Sequence, residues 1–360
     1  MNLRLLPTAF ARAAWCGAGL LLLAGCAAPT APKPQARYFF PPPPEAPRLQ
    51  FLASYASSLD VTGGKADFAS FVTGQAASKD PIIKPYGLAI RDGKIYVADT
   101  MASALEVLDV AKHHFEYFVP DGEGRLPLPV NLVFDTDGTR YVADTGRHQV
   151  VVFDPQGKPT GALGAKDEMQ PCDVLLQGDR LYVADLKGHC VRIFDKGTRK
   201  QVGQVPADAK DEAAKLFNPT NLAMDSQGRL YVADTGAFQV KVYDPAGKFL
   251  RNVGTQGIGL GEFALPKGIA LDRADRLYVV DAATQVIQIF DPEGKLLMFF
   301  GEPKESPVGL ALPAKVIVDY DNVKFFQSYA APGFTLEYLV LVTNQVGDRK
   351  VAVFGFGHRG

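Results

Sequence analysis

The chain has 360 residues, 47% hydrophobic and 21% charged, enough apolar side chain for one large or two mid-sized domains. With 38 Lys+Arg against 39 Asp+Glu the formal net charge is −1, and no basic block supplies a general drive toward nucleic acid. Four Cys are too few for a disulfide scaffold, and none lies in a CxxC or CxxCH, which excludes zinc ribbons, thioredoxin-like redox motifs and c-type haem attachment.

Met1 to Arg12 carries two positive charges, Arg4 and Arg12, and no acid. Ala13 to Leu23 is apolar; at about 11 residues it is too short to span a membrane, which takes ~20, but has the length of a signal-peptide core. It ends in Leu23-Ala24-Gly25-Cys26, which resembles the lipobox of bacterial lipoproteins. That resemblance implies cleavage before Cys26, diacylation of its thiol and acylation of the new amino group. Lipoproteins kept at the inner membrane usually carry Asp after the Cys. Ala27 stands there, so the resemblance implies a lipid anchor at the outer membrane of a bacterial cell envelope. Several acyl chains give firm anchoring where one binds only marginally. Removing residues 1–25 leaves 36 basic against 39 acidic residues, a net charge of −3, and takes away Trp15, the single Trp. Residues 26–47 follow as a Pro-rich tether, with Pro41 to Pro44 consecutive. Such chain favours extended polyproline II geometry.

The remainder, residues 48–360, is repetitive. A Pro opens each copy, then come an apolar strand, a polar turn, Tyr-Val-Ala-Asp or Tyr-Val-Val-Asp, another turn, and an alternating strand ending in Phe-Asp or Tyr-Asp. The prolines are Pro85, Pro129, Pro171, Pro219 and Pro266, and a degenerate sixth copy starts at Pro313. The steps of 44, 42, 48, 47 and 47 residues match the period of a propeller blade of four short strands. Asp92-Gly93, Asp137-Gly138 and Gln227-Gly228 mark turns between strands, and Pro-x-Gly-Lys at Pro155, Pro245 and Pro292 marks the turn before the outermost strand. This set resembles the NHL repeat family, over residues 80–301 and more weakly over 302–358.

The expected fold is therefore all-β, a six-bladed β-propeller of four-stranded antiparallel blades. The sixth copy supplies three strands, near 314–320, 338–343 and 349–354, with an insertion over 323–337. Its missing outer strand is expected from Arg48 to Tyr55, closing the ring and covering an open edge. A short helical turn is expected within Asp67–Gln75.

Each first strand starts at the mouth of the central channel. Two residues after the repeat proline stand Gly87, Asn131, Asp173, Asn221, Gly268 and Lys315. Asn131, Asp173 and Asn221 are candidate ligands for a hard divalent cation such as calcium, which prefers oxygen. They resemble the Glu, Asn and Asp set of calcium-dependent propeller hydrolases, although one carboxylate stands at this level. Blade three faces blade six, so an ion pair of Asp173 with Lys315 in a wet channel is the competing expectation. Asp99, Asp144, Asp185, Asp234 and Asp281 recur at the end of the second strand and read as turn devices that accept backbone N–H groups. His148 and His189 share one repeat position; blades four and five carry Phe238 and Gln285 there, which weakens a His-zinc site of the NHL-type amidating lyase kind. Cys172 and Cys190 allow a disulfide, two free buried thiols or a metal site. One strand separates them, a span of ~9–10 Å against the ~7 Å disulfide limit. No GxSxG occurs, and Gly257-Ile258-Gly259-Leu260-Gly261 is not a phosphate cradle.

Two functions compete. The first is an envelope-anchored binding or scaffold module that presents a rigid propeller face to a protein or small-ligand partner, attached to the membrane by its lipid and making no use of nucleic acid. The second is a metal-dependent hydrolase or lyase at the channel mouth.

Overall fold

The computed structural model describes residues 37–64, 79–208, 210–301 and 308–360. The expected signal segment 1–25, Cys26, the tether up to residue 36, and the helical turn expected in Asp67–Gln75 lie outside the described residues. The α-helical turn among the described residues is Ser58–Thr62, where Asp60 Oδ2 accepts from the backbone N–H groups of Ala56 and Ser57.

The fold is an all-β six-bladed propeller. Five four-stranded antiparallel blades begin at the repeat prolines, with first strands Pro85–Arg91, Pro129–Phe134, Pro171–Gln177, Pro219–Met224 and Pro266–Leu271. Each second strand ends at the repeat Asp, which pairs with the repeat Pro: Pro85 with Asp99, Pro129 with Asp144, Pro219 with Asp234. Antiparallel order puts two sets of connections on one face, here called the proline face. They are the turns between second and third strands and the loops leading into each first strand.

Blade six contains Pro313–Asp319, Phe334–Asn344 and Val351–Arg359. Leu49–Tyr55 pairs antiparallel with the last of these, Phe51 opposite Phe354 and Tyr55 opposite Val351, so the N-terminal strand closes the ring as expected. The sheet extends one strand further: Phe39–Phe40 pairs on the outer side of Leu49–Tyr55, within the stretch expected as tether. Phe40 is buried there against Phe300 and Phe354.

The second and third strands of blade six run longer than the expected 338–343 and 349–354. The insertion is correspondingly shorter, with two 3₁₀ turns, Val323–Phe325 and Gln327–Tyr329. It ties blade six to blade one: Gly93 N–H donates to Asn322 Oδ1 at 2.8 Å, and Phe326 is fully buried with Ile95 and Leu108 of blade one.

The core is divided among the blade interfaces. One apolar cluster lies between each neighbouring pair of blades, such as Ala98, Leu105, Leu132 and Val151 between one and two. Between six and one, Leu88 and Val97 meet Leu339, Leu341 and Val353. Alternation puts β-branched and aromatic side chains on both faces of every blade, and burial of each large one contributes ~1.5–3 kcal/mol.

Candidate functional site

The six positions after the repeat prolines meet around the channel axis. Asp173 lies at their centre and is 1% exposed; Asn131 and Asn221 are fully buried and Lys315 is 7% exposed. Asp173 Oδ1 accepts from Asn131 Nδ2 at 2.6 Å and from its neighbour's backbone N–H, Val174, at 2.9 Å. Oδ2 accepts from Lys315 Nζ at 2.8 Å, the Leu222 backbone N–H at 2.8 Å and Asn221 Nδ2 at 3.2 Å. Five donors saturate one carboxylate. The ion pair with Lys315 exists, but it is buried, not set in a wet channel. Gly87 and Gly268 explain the closure. A Cβ on Gly87 would lie 2.3 Å from Asn131 Oδ1, and one on Gly268 would lie 2.6 Å from Lys315 Cα, so only glycine lets these strands approach.

Asn131, Asp173 and Asn221 are thus brought together as expected, yet their donor set does not fit a hard cation. The carboxylate oxygens are filled, Asn131 and Asn221 turn amide N–H groups inward, and an ammonium occupies the position opposite. Asn131 Oδ1 accepts the Leu132 N–H at 3.0 Å, and Asn221 Oδ1 is buried without a partner. Among the described residues no cluster of three or more His, Cys, Asp or Glu is placed to hold a metal.

The repeated carboxylates are turn devices. Asp99 Oδ2 accepts from Ile83 and Lys84 at 2.6 and 2.8 Å, and Oδ1 from Met101 and Ala102 at 2.8 and 3.0 Å. Asp281 repeats the pattern with Ala264, Leu265, Ala283 and Thr284. Each carboxylate therefore fastens the loop entering a blade to the turn leaving its second strand. Blade six uses Asn344, fully buried, which accepts from Ala311 and donates to Arg349 O.

His148 and His189 occupy the left-handed turn position four residues after the Asp, with φ of 58° and 49°; Ser103, Phe238 and Gln285 adopt the same conformation. Their Nδ1 atoms face the backbone carbonyls of Met169 and Phe217, so the shared repeat position reflects turn geometry. The disulfide left open between Cys172 and Cys190 is not formed: both are free and buried. The strand Arg180–Asp185 stands between them, with Pro171 and Cys190 both opposite Asp185, and Cys172 Sγ instead contacts Pro219 O at 3.1 Å. Burial, and then Asp173 and Asp185, push the Cys172 thiol well up; burial and Asp185 push Cys190 up to about 11. Neither is a ready nucleophile.

Glu106 is the residue that sequence reasoning missed. It is fully buried in the third strand of blade one, its carboxyl set beside that of Asp99 and otherwise without a hydrogen-bond partner. Burial, reinforced by the adjacent Asp99, raises its pKa well above the ordinary value. The same register position holds Arg192 in blade three, Lys241 in blade four and Gln288 in blade five. Arg192 pairs with Asp185 at 2.7 Å, and Lys241 and Gln288 bind carbonyls of the incoming loop. Aligning the copies by register exposes the one acid in the series.

The family DUF5128, described as a 6-bladed beta-propeller, matches residues 209–304. Protein brain tumor of Drosophila melanogaster is 26% identical over 140 residues, which span 37% of this chain and 13% of that protein. Among solved structures, a gluconolactonase from Xanthomonas campestris is 14% identical, with a TM-score of 0.56 over 86% of this chain and 89% of the other. A calcium-binding regucalcin from Agrobacterium tumefaciens is 11% identical, with a TM-score of 0.55 over 86% and 96%. At these identities the structural likeness establishes the six-bladed propeller fold.

Proposed function

We propose that this chain is an envelope-anchored recognition module, held by an acylated Cys26 on a Pro-rich tether and presenting its proline face to a protein of the cell envelope. The observation that carries this reading is where exposed apolar side chains stand. Ile83, Met101, Val119, Phe217, Ile258, Leu260 and Val346 are exposed in the loops of the proline face, Ile258 at 82% and Met101 at 65%. Among the described residues the opposite face offers Tyr329, and the other exposed large apolar side chains lie on outer strands. Apolar side chains gathered on one face mark an interaction surface. The loops beneath them are pinned by buried Asp carboxylates, so a partner meets a preorganised surface at low ordering cost.

The test is site-specific photo-crosslinking in intact membranes. Crosslinkers at Met101 and Ile258 should yield the same protein adduct, and one at Tyr329 should not. Adducts from Tyr329 alone, or equal adducts from all three, would end the reading.

The second reading is a metal-dependent hydrolase or lyase with calcium on Asn131, Asp173 and Asn221, supported by the propeller likeness to a calcium-binding protein and a gluconolactonase. It requires Lys315 to leave Asp173 and both amides to turn over. Thermal unfolding in calcium and in excess chelator separates the two, since a cation bound only to the folded state must stabilise it.

A further inference from the structure

Beyond the polar ring, toward the face opposite the prolines, the first strands line an open-mouthed cavity of about 340 Å³. One residue from each blade begins its wall: Leu88, Leu132, Val174, Leu222, Ile269 and Val316. The wall's side chains stay apolar toward the outer end; the charged residues lining it are Lys315 at the inner end and Asp319 at the rim. Asp319 is engaged by Asn322, which donates from its backbone N–H at 2.8 Å and from Nδ2 at 3.1 Å. An ammonium carries three N–H donors, and among the described residues Lys315 Nζ donates to one acceptor, Asp173 Oδ2. The cavity is thus an open-mouthed sleeve of apolar side chains with a donor at its inner end.

We propose that this sleeve binds a small, largely apolar molecule carrying one neutral oxygen acceptor, an alcohol or ketone, with the oxygen on Lys315 Nζ. The size follows from volume: an apolar cavity of ~150 Å³ takes benzene, so this one holds roughly a dozen non-hydrogen atoms. The apolar body follows from the wall's side chains, which apart from Lys315 and Asp319 are all apolar and favour an apolar partner over water. Neutrality follows from charge: Asp173 already balances Lys315, and an anion would add a second negative charge beside Asp173 with no further cation in the wall. This site lies at the other end of the channel from the proline face and does not depend on the partner proposed there.

The experiment is a titration of the full chain, labelled at Leu, Val and Ile methyl groups, with 1-octanol, followed by NMR. Saturable shifts are expected at Leu88, Leu222 and Ile269, and none at Leu105 or Val151 between blades one and two. Val133→Trp, at a partly exposed wall position, should abolish the shifts while the spectrum stays folded. Lys315→Met alone leaves Asp173 buried and unpaired, so the head group is tested in the Lys315→Met, Asp173→Asn double variant, where affinity should fall roughly tenfold, the worth of a hydrogen bond to a charged donor. No channel shifts up to the solubility limit, shifts that survive Val133→Trp, unchanged affinity in the double variant, or octanoate binding as tightly as 1-octanol would each overturn the proposal.

Discussion

Asp173 shows how burial changes the meaning of an ion pair. In a wet channel its loss would cost at most ~1 kcal/mol; at 1% exposure, against a Lys315 that is 7% exposed, removing one partner strands a charge. Asp173→Asn should lower stability by about 3–5 kcal/mol in chemical denaturation. Adding Lys315→Met should restore most of it, because the pair then vanishes together. Glu106 predicts the opposite sign. Its folded pKa is raised above the ordinary 4.5 by burial and by Asp99, so the native state holds a proton that the unfolded chain releases. Stability therefore falls as pH rises from about 4.5 through the folded pKa. Glu106→Gln, the residue blade five uses at this position, should raise the melting temperature at pH 7 and remove that part of the pH dependence. Equal melting temperatures at pH 7 would show that Glu106 carries no such strain. The polar ring was legible because the prolines set its phase. Its burial was not, because sequence spacing does not give the channel's width, and it is Gly87 and Gly268 that allow the strands to close.

At the scale of elements, Leu49–Tyr55 is the strand that makes the ring continuous. Leu49 and Tyr55 are buried, and the strand covers the edge of Val351–Arg359. A chain beginning at Leu59 should lose several kcal/mol, at ~1.5–3 per buried large side chain, and melt more than about 10 °C lower. One beginning at Arg48 loses only Phe39–Phe40 and should suffer a smaller drop. Equal melting of the two truncations would contradict the closing role. Five blades could be read directly, since Tyr-Val-Ala-Asp, or Tyr-Val-Val-Asp in blade five, recurs in phase. Blade six was blurred because its copy reads Leu341-Val342-Thr343-Asn344. The register restores the match, with Pro313 opposite Asn344 as Pro219 is opposite Asp234, and an amide can do the carboxylate's work of accepting a loop N–H. The strand at Phe39–Phe40 was hidden by the prolines around it: two residues are too few for alternation to register as a strand.

Across the molecule, each apolar cluster among the described residues joins two blades, so the ring is held by interfaces between blades. That arrangement suits a rigid platform whose loops carry specificity, and under the proposed anchoring it is tied to a membrane through one acylated cysteine. Cys26→Ser should leave the precursor uncleaved or release the propeller into the soluble fraction; a variant that fractionates and migrates like the wild type would contradict the anchor. The central claim is that a buried Asp173–Lys315 pair closes the channel, leaving the proline face for recognition. Thermal unfolding in calcium and in excess chelator tests it most directly, because a cation bound only to the folded state must stabilise it. The two melting curves should superimpose for the wild-type chain. A calcium-dependent rise in melting temperature that disappears in Asp173→Asn would contradict the claim and place a metal at the ring.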